Sequence, residues 1–208
     1  MRIIAGNHRG RPLRGPQDDQ TTRPITDRVK ENLFNRLQSL GVLGYGRVLD
    51  LYCGTGSMGL EALSRGAEHC TFVDRDRDAI DRLEENLDTL QIGPEDAHVV
   101  AGGVTPPIWS YPLAAGSITV AFLDPPYAET DDLAALYSLL AALAAKLEPG
   151  GVAVLRTPAP VRAEEVPGYD GPASITYGKM TLHFYQTPLP PEDDAEPETP
   201  TDRLPASS

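Results

Sequence analysis

Cysteine, histidine, tryptophan and long apolar runs are all scarce in this 208-residue chain, and each scarcity removes a class of protein. The two cysteines, Cys53 and Cys70, are not spaced as a CxxC pair and are too few for a disulfide framework. They read as small, partly buried residues. Four scattered histidines (His8, His69, His98, His183) supply no ligand spacing, so no metal site is expected. No stretch reaches the roughly 18 apolar residues of a membrane span. The opening MRIIAGNHRGRPLRG is basic but lacks the apolar core of a signal peptide, so a cytoplasmic protein with no membrane partner is expected. With 40% hydrophobic residues and a single tryptophan, Trp109, the chain can bury one real core but not two generous ones.

What is abundant is acid, unevenly placed. The net charge of -12 argues against a nucleic-acid partner, yet residues 1–36 hold eight Arg/Lys against four Asp/Glu. Residues 188–208 hold six acids and one Arg in a proline-rich run with almost nothing to bury, which reads as a disordered tail. A basic arm on an acidic body is an electrostatic footprint for a polyanion, and equally a set of solvated surface arginines. The chain therefore divides into a basic arm (1–25), a main domain (26–187) and an acidic tail (188–208).

The main domain alternates. Thr26-Asp27 can cap a helix carrying Val29, Leu33, Leu37 and Leu40 on one face. Strands follow at 48–52, 70–74, 98–101, 118–124 and 151–157, separated by a glycine loop and helix, a helix over 77–90, and a helix over 131–147. This predicts an α/β fold with a parallel doubly wound sheet. Segments 174–177 and 180–186 flank Gly178-Lys179, a hairpin signal, so the sheet should end in antiparallel strands.

Such sheets bind ligands beyond the carboxyl ends of their strands. After the first strand, DLYCGTGSMGLEAL places Gly54, Gly56 and Gly59 as a GxGxxG, with Asp74 at the end of the next strand. The pattern is a dinucleotide fingerprint, and alone it does not choose a cofactor. Asp50, just before the loop, does: a pyrophosphate would meet its carboxylate in a low-dielectric crevice, whereas S-adenosylmethionine brings an ammonium and a sulfonium. Asp74 suits a bidentate bond to two ribose hydroxyls, and Phe72 or Arg75 could flank the adenine.

The stretch DPPYAE closes the 118–124 strand. Neither Pro125 nor Pro126 has an N–H and each φ is fixed, so the turn is stiff and turns carbonyls outward. Asp124 and the Pro125 carbonyl are acceptors and the Tyr127 ring is a stacking plate. That set suits a planar base with an exocyclic amine, whose delocalised lone pair makes it a weak nucleophile that needs alignment.

DPPY resembles the (D/N)PP(Y/F/W) motif of amino-group methyltransferases. RIIAGNHRGRPL, TRPITDRVKENLFNRL and GKMTLHFYQ are more specifically similar to the RsmD family, over roughly residues 2–187. The resemblance implies a class I, Rossmann-like S-adenosylmethionine-dependent methyltransferase fold with a short N-terminal β-hairpin arm. It also implies an enzyme that methylates guanine N2 of small-subunit ribosomal RNA in the subunit or an assembly intermediate; a monomer without metal is expected. Candidate residues are then Asp124, Pro125 and Tyr127 for catalysis; Asp50, Gly54, Thr55, Gly56, Asp74 and Gly103 for the cofactor; and Arg9, Arg11, Arg23 and Arg28 for RNA phosphates. In one place the chain departs from the family: VVAGGVTPPIW carries Gly103 where the family has a polar residue near the adenine, so backbone groups or Thr105 are left to serve there. Alternatives are a DNA adenine-N6 methyltransferase, which DPPY equally serves; a non-catalytic RNA-binding assembly factor, which Gly103 favours; and an NAD-dependent dehydrogenase, which leaves DPPY unused.

Overall fold

Apolar runs too short for helices pair side by side in the computed structural model, which describes residues 1–16, 25–110 and 112–190. The strands are β1 (Arg47–Leu51), β2 (His69–Asp74), β3 (Ala97–Ala101), β4 (Ile118–Leu123), β5 (Leu147–Pro158), β6 (Asp170–Tyr177) and β7 (Met180–Gln186). They form one sheet in the order β3-β2-β1-β4-β5-β7-β6. The pairs joining β3 through β5 are parallel, and β7 runs antiparallel to both β5 and β6. The expected fold class is therefore the observed one, including the terminal hairpin around Gly178, whose φ is +60°.

Strand period two divides the core into two layers. Val48, Cys70, Phe72, Val120, Phe122 and Val154 face α1 (Asp27–Ser39), α2 (Ser57–Ser64) and α3 (Arg77–Leu90). Leu49, Leu51, Val73, Ala121, Leu123 and Leu155 face α4 (Leu133–Ala144) and Trp109. Because both faces are covered, the central strands read as continuous apolar runs.

The helix ends obey local chemistry. The Thr26 hydroxyl accepts the Val29 N–H at 3.4 Å and Asp76 caps α3 through the N–H groups of Asp78 and Ala79. β5 and β6 begin before the expected 151 and 174, at Leu147 and Asp170, and both ends of one helix also differ from expectation. The helix expected from residue 131 starts at Leu133, because a 3-10 turn occupies Tyr127–Asp131 and the Asp132 carboxylate takes the Ala135 N–H at 3.2 Å. That helix ends at Ala144 because β5 begins at Leu147, through a register shift against β4.

The N-terminal segment is a narrow hairpin, with Ile3 N–H bonded to the Arg11 carbonyl at 3.0 Å and a bridge between Arg2 and Pro12. It lies against the body, since Ile3 and Leu13 are buried in the same core as α1. The Glu61 carboxylate on α2 accepts the N–H groups of Ile4 (2.8 Å) and Ala5 (3.0 Å). Lys30, 1% exposed, pairs with Glu61 at 3.1 Å and donates to the Arg2 carbonyl at 2.8 Å. Gly6, at φ +83°, passes so close that a Cβ there would stand 1.7 Å from the Ser64 carbonyl oxygen. Residues 17–24, with Arg23, and residues 191–208 of the acidic tail lie outside the described residues.

Candidate active site

β1 and β4 are neighbours in the sheet although β2 and β3 separate them in sequence, so the order reverses between them. This reversal opens a crevice at their carboxyl ends. Toward or just beyond the carboxyl ends of β1, β2, β3, β4 and β5 stand Asp50, Asp74, Gly103, Asp124 and Arg156.

Tyr52 turns the chain off β1 at φ +57°, unusual for a non-glycine residue, and Gly54 and Gly56 follow at +53° and +85°. Gly56 is the N-cap of α2, and a Cβ there would lie 2.4 Å from Leu83. Gly59 lets α2 approach β2, since a Cβ would meet Phe72 at 2.3 Å and Cys70 at 2.5 Å. The three glycines thus serve a left-handed turn and a close helix-to-strand contact.

Both acids of the motif hold this loop. Asp50, 1% exposed, accepts the Gly59 N–H at 2.8 Å. Asp74 accepts the Gly54 N–H at 2.7 Å with one oxygen and the Asp76 N–H at 2.9 Å with the other. Thr55 is buried, and its carbonyl receives a 3.0 Å bond from the Asn86 amide. Burial raises the Asp50 carboxyl to about 8, against the Gly59 N–H that lowers it, and Asp124 and Asp74 push it further up. The crevice floor is therefore a low-dielectric cluster of acidic groups whose ionised forms a cationic ligand would stabilise.

Asp124 follows β4 directly, its N–H bonded to the Leu51 carbonyl at 3.3 Å. Its Oδ1 lies 2.7 Å from Nε of Arg156, a residue 4% exposed in β5. The two atoms touch without the alignment of a hydrogen bond and both are shut off from solvent, so the exposed part of the Asp124 side chain lies away from Oδ1. Burial raises Asp124 to about 6; Arg156 opposes that rise and Asp74 adds to it. Pro125 and Pro126 lead into the 3-10 turn, and the Tyr127 ring is 36% exposed at the crevice rim.

Gly103 lies beside Val104 and Thr105 in a pocket closed on its other sides by Tyr52, Arg75 and Glu129. Arg75 and Glu129 form a 3.0 Å ion pair across it. The buried Trp109 indole donates to the Val104 carbonyl at 2.8 Å, which fixes the backbone after Gly103. One of two alternatives falls here. Phe72 is fully buried on the α2 side of the sheet, where Gly59 packs on it, and cannot flank an adenine; Arg75 does face the pocket.

Arg9, Arg11 and Arg28 are exposed, on the hairpin and the first turn of α1, and form no ion pair among the described residues. Both cysteines are buried thiols whose titration burial pushes up. Among the described residues no helix is long and apolar enough to cross a membrane. The sequence reading missed Arg156, whose only signal is one arginine inside the apolar run GVAVLRT, and Tyr52, whose only signal is its place before CGTG.

The family described as Conserved hypothetical protein 95 matches residues 1–186. A Haemophilus influenzae protein named ribosomal RNA small subunit methyltransferase D is 39% identical over 61% of this chain and 64% of its own length. The Escherichia coli K12 protein of that name is 41% identical over 61% of this chain and 60% of its own. The matched segment thus spans just under two thirds of each of these relatives. The solved structure of a hypothetical protein from Thermus thermophilus is 33% identical, with a TM-score of 0.71 over 88% of this chain and 98% of its own. From its hairpin to its last strand, this chain belongs to the RsmD family.

Proposed function

We propose that this protein transfers a methyl group from S-adenosylmethionine to the exocyclic N2 amine of a guanine in small-subunit ribosomal RNA. The observation that carries the reading is the placement of Asp124, whose side chain is still 27% exposed, beside the glycine loop that leaves β1. The names of the relatives support ribosomal RNA as the acceptor. Guanine N2 rests on the motifs shared with the RsmD family.

The acidic floor fits a cofactor that brings an ammonium and a sulfonium and no phosphate. Asp50, the Gly54 to Gly56 loop with Thr55, and Asp74 would hold it, with Gly103 and Thr105 beside the adenine. When bound, S-adenosylmethionine supplies an electrophilic methyl group. The remaining work falls to the chain. Tyr127 at the rim stacks on a guanine splayed from its neighbours, an extrusion that costs a few kcal/mol. The Asp124 carboxylate, through the oxygen that does not face Arg156, and the Pro125 carbonyl accept the two N–H bonds of the amine and fix the direction of its lone pair. As the nitrogen becomes cationic, the Asp124 carboxylate stabilises it until its proton leaves. Exposed Arg9, Arg11 and Arg28, with Arg23, hold phosphates and supply much of the affinity. Such a reaction belongs in the cytoplasm, with the small subunit or its assembly intermediate as partner and the enzyme as a monomer.

The test is transfer of labelled methyl groups to small-subunit particles from cells lacking this protein, followed by mass spectrometry of the nucleosides. N2-methylguanosine is the expected product. Methylation of another base would overturn the guanine assignment, and transfer to DNA alone would move the protein to the adenine-N6 class. A protein that binds RNA but neither cofactor nor methyl would be a non-catalytic assembly factor.

A further inference from the structure

We infer that Arg156 is a positioning residue for this reaction: its buried guanidinium holds Asp124 as a carboxylate, the form that accepts an N–H of the incoming amine beside the Pro125 carbonyl. The inference rests on the methyl-transfer reading for its consequence, but not for the charge state itself.

Three observations converge. The register of β4 on β5 aligns Leu123 with Leu155, so the next residue on each strand, Asp124 and Arg156, meet at the crevice. The contact is 2.7 Å, with Arg156 side-chain exposure at 4% and Asp124 at 27%. Among the described residues Lys30 and Arg156 are the buried cations, and Lys30 is committed to Glu61 on the opposite side of α2. A buried guanidinium facing a single carboxylate is costly unless that carboxylate is charged.

The surroundings show why a cation is needed. Asp124 faces Asp50 from β1, Asp74 from β2 and Arg156 from β5, with Tyr52, Arg75 and Glu129 at the mouth of the adjoining pocket. Burial and the neighbouring acid push Asp124 toward its protonated form, and Arg156 is what opposes them. A protonated Asp124 would present an O–H to the amine from one oxygen, a donor set against a donor. Asp124 carries the acceptor, and Arg156, which the protein walls off from the base, acts through it. Oδ1, shut off from solvent, faces Nε, which leaves the other carboxylate oxygen to accept from substrate while still feeling the charge.

Two measurements test this. In the ligand-free protein, the carbon-13 carboxyl resonance of Asp124 is titrated in wild type, Arg156→Met and Arg156→Lys. Removing an opposite charge at contact distance should move the Asp124 midpoint up by about 1 to 3 pH units in Arg156→Met, with Arg156→Lys close to wild type. In parallel, single-turnover methyl transfer is followed against pH at saturating cofactor and RNA particle. The acid limb of the Arg156→Met profile should move up by the same amount, and its rate should approach that of wild type at high pH. An unmoved midpoint, or a rate lowered equally at every pH, would overturn the inference. If Arg156→Met fails to fold, Arg156→Gln, which keeps a polar side chain against Asp124 without its charge, takes its place in both measurements. The inference requires the same upward movement of the midpoint and of the acid limb, and an unmoved midpoint would overturn it. Absence of transfer by the wild type would overturn the methylation reading while leaving the titration to decide Arg156.

Discussion

Asn86 and Arg14, 72 residues apart, exchange two hydrogen bonds: the Arg14 N–H donates to Asn86 Oδ1 at 2.8 Å, and Asn86 Nδ2 donates back to the Arg14 carbonyl at 3.2 Å. The side-chain amide imitates a strand neighbour for the end of the N-terminal hairpin. Its other N–H goes to the Thr55 carbonyl, so one buried residue of α3 ties the hairpin to the glycine loop. Asn86→Ala leaves those backbone groups without partners, at a cost of about 1–3 kcal/mol for each that stays buried. The expected result is a lower urea midpoint, with faster proteolytic cleavage within residues 1–16; an unchanged midpoint would show that water replaces the amide freely.

Asp124 and Asp50 should separate chemistry from cofactor binding. Asp124→Ala is expected to abolish methyl transfer while the affinity for S-adenosylhomocysteine, read by calorimetry, stays nearly intact. Retained activity would remove Asp124 from the mechanism.

Asp50 makes stability depend on pH with a definite sign. Its folded value of about 8 exceeds the ordinary 3.8, so the folded protein binds the proton more tightly than the unfolded chain does. Its contribution is therefore present below the lower value and is lost as pH rises toward 8. Asp50→Asn can still accept the Gly59 N–H and has nothing to ionise, so its stability should fall less than that of wild type between pH 5 and 8 in paired denaturant titrations. The same change should weaken cofactor binding, because the floor loses the buried acid that a cationic ligand could draw into its charged form.

Arg9 and Arg11 stand exposed on the hairpin. Replacing both with alanine should weaken RNA binding and flatten its salt dependence by roughly 0.7 to 0.9 in log-log slope for each phosphate that is no longer neutralised. A slope equal to that of wild type would return both residues to the solvated surface.

The sheet, its order of strand and helix, and the carboxyl-end acids were legible because each is written within a few residues. VLDL, CTFVD and ITVAFL are apolar runs of strand length, CGTGSMG demands left-handed turns and close packing, and DPPY stiffens a strand exit. The tail of the 118–124 strand and the limits of the 131–147 helix were less legible. A 3-10 turn there is selected by the carboxylate of Asp132 and by what β5 leaves room for, not by periodicity.

The sequence by itself determined the α/β class, the loop at Gly54 to Gly59 and the rigid turn after Asp124, all consequences of backbone restriction and side-chain period acting locally. Only the tertiary structure decided that the basic hairpin packs onto α2 through Glu61, that Phe72 belongs to the core, and that Arg156 meets Asp124. Those outcomes depend on which strands become neighbours and on charges that burial strengthens. An arginine in an apolar strand has no meaning until the sheet order places a carboxylate beside it.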